Sequence, residues 1–140
     1  MKSAILTFTG VIGSCIAGLF GGWDASIITL LICMLIDYIS GLVVAGVFHK
    51  SKKTETGTLE SRAGWKGLFK KGMTLFIVIV AVRLDVELST SFIRDAVCIA
   101  FITNEVISII ENAGLMGVPI PKVMLNMIDV LQSKSEEKNK

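Results

Sequence analysis

Two carboxylates are the side chains best placed to do chemistry. Asp37 is the single charge near the centre of the apolar stretch 25–48, and Glu105 sits deep in a second stretch, 92–113. A carboxylate at bilayer depth costs several kcal/mol, so such a group faces a protein interior or water. Near Glu105, Asn104, Ser108 and Asn112 recur at i, i+4, i+8, with Glu105 and Glu111 flanking them. That spacing puts them on one helix face. The face fits a buried hydrogen-bonded network between packed helices, and it also fits the wall of a water-filled pore. Either way, each carboxylate is expected to be neutral or hydrogen-bonded while the helices stay packed.

Other chemistry finds no support. The chain has no phosphate-binding GxxxxGK[ST], no GxSxG and no HExxH. Asp37 and Glu105 would make an acid–base pair only beside a substrate site, and nothing else in the sequence suggests one. His49, the sole histidine, has no partner motif. Cys15, Cys33 and Cys98 are odd in number, lack CxxC spacing and lie in apolar runs, so they read as packing residues. No enzyme, no cofactor and no metal site is expected.

The elements that hold these residues follow from composition. The chain has 140 residues, of which 52% are hydrophobic and 19% charged, with a mean hydropathy of +0.70. A soluble domain is roughly a quarter charged. The charges here are also clustered, leaving four apolar runs, more than one soluble core could absorb. The reading is an all-α integral membrane protein with about four transmembrane helices, near 4–20, 25–48, 67–84 and 92–113, in a single domain. The count falls to three if 4–20 is peripheral; Lys2 followed by an apolar run also resembles a signal peptide. A basic loop over 49–66, a short amphipathic helix over 122–131 and a disordered charged tail over 133–140 complete the chain.

Between His49 and Lys71 lie seven of the 14 Lys and Arg and only two acids. Such a loop stays on the cytoplasmic side. Lys50, Lys52, Lys53, Arg62, Trp65, Lys66, Lys70 and Lys71 are expected to anchor it at anionic lipid headgroups rather than at nucleic acid. Asp24 gives the turn 21–24 a net negative charge. Arg83 and Arg94 against Asp85, Glu87 and Asp95 do the same for 83–95. A multi-pass chain with both termini cytoplasmic satisfies all of these biases. Gly10, Ser14 and Gly18 form a smooth stripe suited to close helix approach, and Gly41 and Ala45 continue the face of Asp37.

The run Asp37-Tyr38-Ile39-Ser40-Gly41, then Gly64-Trp65-Lys66-Gly67-Leu68-Phe69-Lys70-Lys71, then Ser108-Ile109-Ile110-Glu111-Asn112-Ala113-Gly114 with Gly117-Val118-Pro119-Ile120-Pro121-Lys122, resembles the toxin secretion/phage lysis holin family. The similarity spans roughly residues 22–131, and the order of three motifs makes it specific. It implies a small homo-oligomer in the bacterial (host) cytoplasmic membrane. That oligomer opens a lesion through which an endolysin, or in some relatives a large toxin, passes as cargo without specific binding. It carries over no catalytic residues. The reading from another class is a small proton-coupled transporter, with Asp37 or Glu105 alternating between cation and proton. Abrupt killing of the host on expression separates the first from the second.

Overall fold

The computed structural model describes residues 1–138, and among them are five helices and no strand. They are α1 (Lys2–Leu19), α2 (Ala25–Gly46), α3 (Ser61–Leu88), α4 (Ile93–Leu115) and α5 (Lys122–Lys138). α4 is central: it packs on α2, α3 and α5, and α2 also touches α3. The first residues of α2 and α4 meet, so these two helices run parallel with α3 returning between them. α1 buries no residue.

Several bounds differ from the periodicity. α2 ends at Gly46 rather than Phe48, and α3 begins inside the expected loop at Ser61 and continues unbroken to Leu88. α5 runs on through Ser133 to Lys138, where disorder was expected. Gln, Lys and Glu are good helix formers, and no Gly or Pro interrupts them. The rest of the expected tail, 139–140, lies outside the described residues. The loop 47–60 is also more ordered than its polar composition suggests. Ser51 N–H donates to the Gly57 carbonyl at 3.0 Å. Gly57 has φ +76°, and a Cβ there would meet the His49 carbonyl oxygen at 2.5 Å, so only glycine fits.

The packing is that of a chain with its apolar side outward. A compact soluble protein of this mass would expose about 7,100 Å²; this chain exposes 9510 Å². The core is small: Ile27, Leu30 and Met34 of α2, Val78 of α3 and Cys98 of α4, with Leu75, Val97 and Phe101 around them. On the opposite face of α2, Ile28, Ile32, Leu35 and Ile39 are exposed, and Phe76 and Val80 are exposed on α3. Apolar faces of this extent mark a lipid or protein contact. Two helices, α1 and α2, are long and apolar enough to cross a membrane.

A polar clasp closes the end where α2 and α4 begin. Asp24 caps α2, accepting from Ile27 N–H at 3.1 Å. The same carboxylate receives the Arg94 guanidinium in bidentate fashion, at 2.7 and 3.0 Å. Arg94 Nε donates to the Phe20 carbonyl at 2.6 Å. Gly21, at φ +75°, makes room for it, because a Cβ there would meet Arg94 Nε at 3.1 Å. Asp85, at the end of α3, accepts from the N–H groups of Ile93 and Arg94 and from the Thr90 hydroxyl. One guanidinium thus ties the α1–α2 turn to α4, while Asp85 caps α4 from α3.

The Arg94 guanidinium holds the Asp24 carboxyl down at about 2, against an ordinary 3.8. Burial pushes Asp85 up, but the hydrogen bonds from Thr90 and the α4 amides outweigh it and hold this carboxyl below its ordinary range. A folded value below the unfolded one stabilises the folded chain fully above about pH 4, and that contribution is lost as pH falls through about 2. Thermal unfolding in detergent should therefore show a falling midpoint over this window. Asp24→Asn should flatten the decline and leave the part due to Asp85. Arg94→Met should lower stability at pH 7 by about 1–2 kcal/mol, because part-buried carbonyls and a half-exposed carboxylate lose their donor. An unchanged midpoint in Arg94→Met would exclude the clasp as a fixed element.

Candidate functional site: a buried ion cluster under a cavity

The two carboxylates singled out in the sequence meet inside the bundle, and a lysine lies between them. Lys71 Nζ donates to Asp37 Oδ2 at 2.7 Å and to Glu105 Oε2 at 2.5 Å. The three side chains are 6%, 14% and 14% exposed for Asp37, Lys71 and Glu105. Each helix of the three-helix core supplies one of them. Asn112, buried on α4, donates its Nδ2 to Asp37 Oδ1 at 3.2 Å and to Ser40 Oγ at 2.9 Å. It also reaches the Asp37 carbonyl at 3.4 Å.

Local sequence explains the meeting. Asp37 and Gly41 are one turn apart on α2, and a Cβ on Gly41 would lie 3.8 Å from Asn112 Nδ2. That is ordinary contact distance, so the amide already reaches across to the backbone at this turn of α2. Glu105 and Asn112 are seven residues apart, two turns of α4, and so share a face. Lys71 sits ten residues, almost three turns, into α3. Tyr38 pins the first turn of that helix, its hydroxyl donating to the Gly64 carbonyl at 3.4 Å.

Two carboxylates share one ammonium in a poorly solvated place. Lys53 reaches in from the loop to within 3.9 Å of where a Cβ on Gly41 would lie, close to Asp37. The cluster forms the floor of a cavity of about 450 Å³ between α2, the loop, the start of α3 and α4.

The remaining expected site residues divide. Asn104 and Ser108 line the cavity beside Glu105, whereas Glu111 is exposed and belongs to no cluster. Lys50, Lys52, Arg62, Trp65, Lys66 and Lys70 are exposed, with the Trp65 and Phe69 rings 6.0 Å apart. Lys71 was expected at the headgroups and is found in the interior, because two carboxylates there require a cation. Gly41 and Ala45 face the chain's own α4 side and the cavity. Around Gly10 and Gly18 there is open space. Lys71, Asp24 and Asp85 were not recognised from sequence as partners of buried groups. The usable signal was a charge count: two carboxylates at similar depth, and one lysine bordering the short uncharged run 72–82.

The family model for the bacteriophage holin family matches residues 14–133. An uncharacterized protein of Listeria monocytogenes is 37% identical over 139 residues, covering 98% of this chain and 90% of its own length. An uncharacterized 14.9 kDa protein of Clostridium perfringens is 34% identical, covering 88% of this chain and 89% of its own length. A protein of Bacillus phage phi105 named probable holin is 31% identical over 110 residues, covering 78% of this chain and 76% of its own length. No solved structure matches.

Removing the cation alone should be costly. Lys71→Met leaves two unpaired carboxylates and should destabilise the folded chain by about 3–5 kcal/mol. Adding Asp37→Asn and Glu105→Gln to it should recover most of that loss, since no buried charge then remains. Thermal unfolding of the single and triple variants in one detergent checks this; a triple variant no more stable than Lys71→Met would refute charge compensation.

Proposed function

The chain belongs to the bacteriophage holin family, and from that premise we propose that it acts as a holin: it oligomerises in the cytoplasmic membrane and opens a lesion that releases an endolysin or a large toxin. The observation that carries this reading is the Asp37–Lys71–Glu105 cluster, buried in a bundle whose outer faces are apolar. α1 to α4 cross the membrane in this reading, with both termini and the basic loop cytoplasmic. The Asp24–Arg94 clasp then lies at the outer face, and the cavity opens toward the inner one.

The closed packing holds three ionised groups at low dielectric, where each costs free energy to desolvate. Separation of α3 from α2 and α4 would hand all three to water. Lys71 serves two carboxylates at once, with Lys53 approaching from the loop, so opening exchanges shared contacts for full hydration of each group. The polar face of Asn104, Ser108 and Asn112 is the surface such a separation would wet. Release is an act of helix rearrangement and involves no bond chemistry. The transporter reading loses support on this geometry, since the Lys71 ammonium already occupies the place a transported cation would take between the carboxylates.

Induced expression should stop growth abruptly, and co-expression of an endolysin should turn that stop into lysis. Glu105→Gln leaves the cluster as one balanced Asp37–Lys71 pair and should delay lysis at unchanged membrane abundance. Lys71→Met should advance it or prevent folding. Culture turbidity read beside immunoblots of the membrane fraction gives the answer; a Glu105→Gln variant that lyses on schedule at normal abundance would remove the cluster from the gate.

Topology has its own test. In a cysteine-free background, a cysteine at Thr56 should resist a membrane-impermeant thiol reagent in intact cells and react after permeabilisation. External labelling before lysis would overturn the cytoplasmic loop.

A further inference from the structure

The cavity is larger than the ion cluster at its floor requires. At about 450 Å³ it has the size of a ligand site. Its walls are of two kinds. Leu42 and Ala45 of α2 and Leu59 of the loop give it an apolar side, and Lys53, Lys66 and Lys70 give it a basic one. Lys66 and Lys70 are one helical turn apart and so project from the same face of α3.

The charge count defines the occupant. Four ammonium groups, Lys53, Lys66, Lys70 and Lys71, face three carboxylates, Asp37, Glu60 and Glu105, leaving one positive charge when all are ionised. A phosphodiester carries one negative charge. Thr54 lines the same cavity, and its hydroxyl oxygen is buried without a partner. On the outside of the same turns of α3, Trp65 and Phe69 are 60% and 71% exposed. Aromatic side chains in that position sit at headgroup level.

The geometry points to a binding site for one anionic phospholipid, its phosphate held by Lys53, Lys66 and Lys70 and its glycerol and upper acyl carbons lying against Leu42, Ala45 and Leu59. A free phosphate would use the basic side and leave the apolar wall bare; a lipid uses both. Gly67 keeps the space open. A Cβ there would only touch the Tyr38 ring, at 3.8 Å, so a larger side chain fits the helix but fills the cavity. The site rests on the holin reading only for the leaflet that supplies the lipid. A micelle has no leaflets, so failure here leaves that reading intact.

The test is native mass spectrometry of the full chain released from micelles containing equimolar phosphatidylglycerol and phosphatidylcholine. One phosphatidylglycerol adduct should be retained about tenfold over phosphatidylcholine, as expected for lysines contacting an anionic lipid. Lys66→Gln/Lys70→Gln, which changes only exposed side chains, should remove the preference. Gly67→Leu should remove it with every charge kept, and Lys122→Gln/Lys134→Gln should preserve it. Absence of any preference would overturn the site, as would a preference that survives in both cavity variants, which would mean surface attraction only. Displacement of the lipid by millimolar inorganic phosphate would show an anion site with no use for the apolar wall, and would overturn the assignment to lipid.

Discussion

Lys71 between Asp37 and Glu105 is the contact on which the packing of α2, α3 and α4 depends. Each helix brings one ionised group to the same depth, and none of the three is tolerable there alone. The apolar core around Ile27, Leu30, Val78 and Cys98 is too small to fix three long helices unaided. In lipid, apolar burial adds little between helices, because the tails are as apolar as the core; close packing and interhelical hydrogen bonds set the register. Asp37, Lys71, Glu105 and Asn112 supply those bonds at one end, and Asp24, Arg94 and Asp85 supply them at the other.

The two ends are different in kind. Asp24 and Asp37 are separated by 13 residues of α2, about 20 Å of helix. Between them the buried contacts are apolar. At the clasp, a guanidinium is satisfied by a bidentate carboxylate and a backbone carbonyl, and that carboxylate is half exposed to solvent. At the cluster, a flexible lysine serves two carboxylates. A planar guanidinium fixes geometry, whereas an ammonium on a four-carbon stem tolerates movement. The clasp fixes one geometry, and the cluster admits more than one.

Helix type and helix count were legible because the apolar runs are long and separated by Gly, Pro and charge. Asp37 and Asn112 were legible as buried polar groups because they interrupt those runs, whereas Asn104 and Glu111 of the same expected face are exposed. The identity of their partner was not. Lys71 follows Lys70 in a basic, aromatic-rich stretch whose local pattern is that of a headgroup anchor, and Lys70 does remain exposed. Only the relative rotation of α3 against α2 decides which of two adjacent lysines points inward, and that rotation is set by Tyr38 on Gly64 and by the carboxylates themselves. The Arg94 clasp was hidden for a similar reason: Asp24 and Arg94 are 70 residues apart and each reads locally as turn polarity. The same limit applied to the loop, where one glycine at positive φ orders a segment whose composition suggests none.

The position of α4 explains why the polar contacts of the bundle converge on it. It is the helix that packs on three others, and Thr103, Glu105, Ser108 and Asn112 lie on it, so its neighbours decide how far those groups are covered. α2 covers it through Gly41 and Asn112, a contact between uncharged or already paired groups. α3 covers it through Lys71, where separation frees three charges for hydration. The weaker seam is therefore the one along α3. That seam also borders the cavity, whose lining includes Lys66, Lys70 and Lys71 of α3 and Glu105 and Ser108 of α4, so the cavity and the ion cluster share one contact.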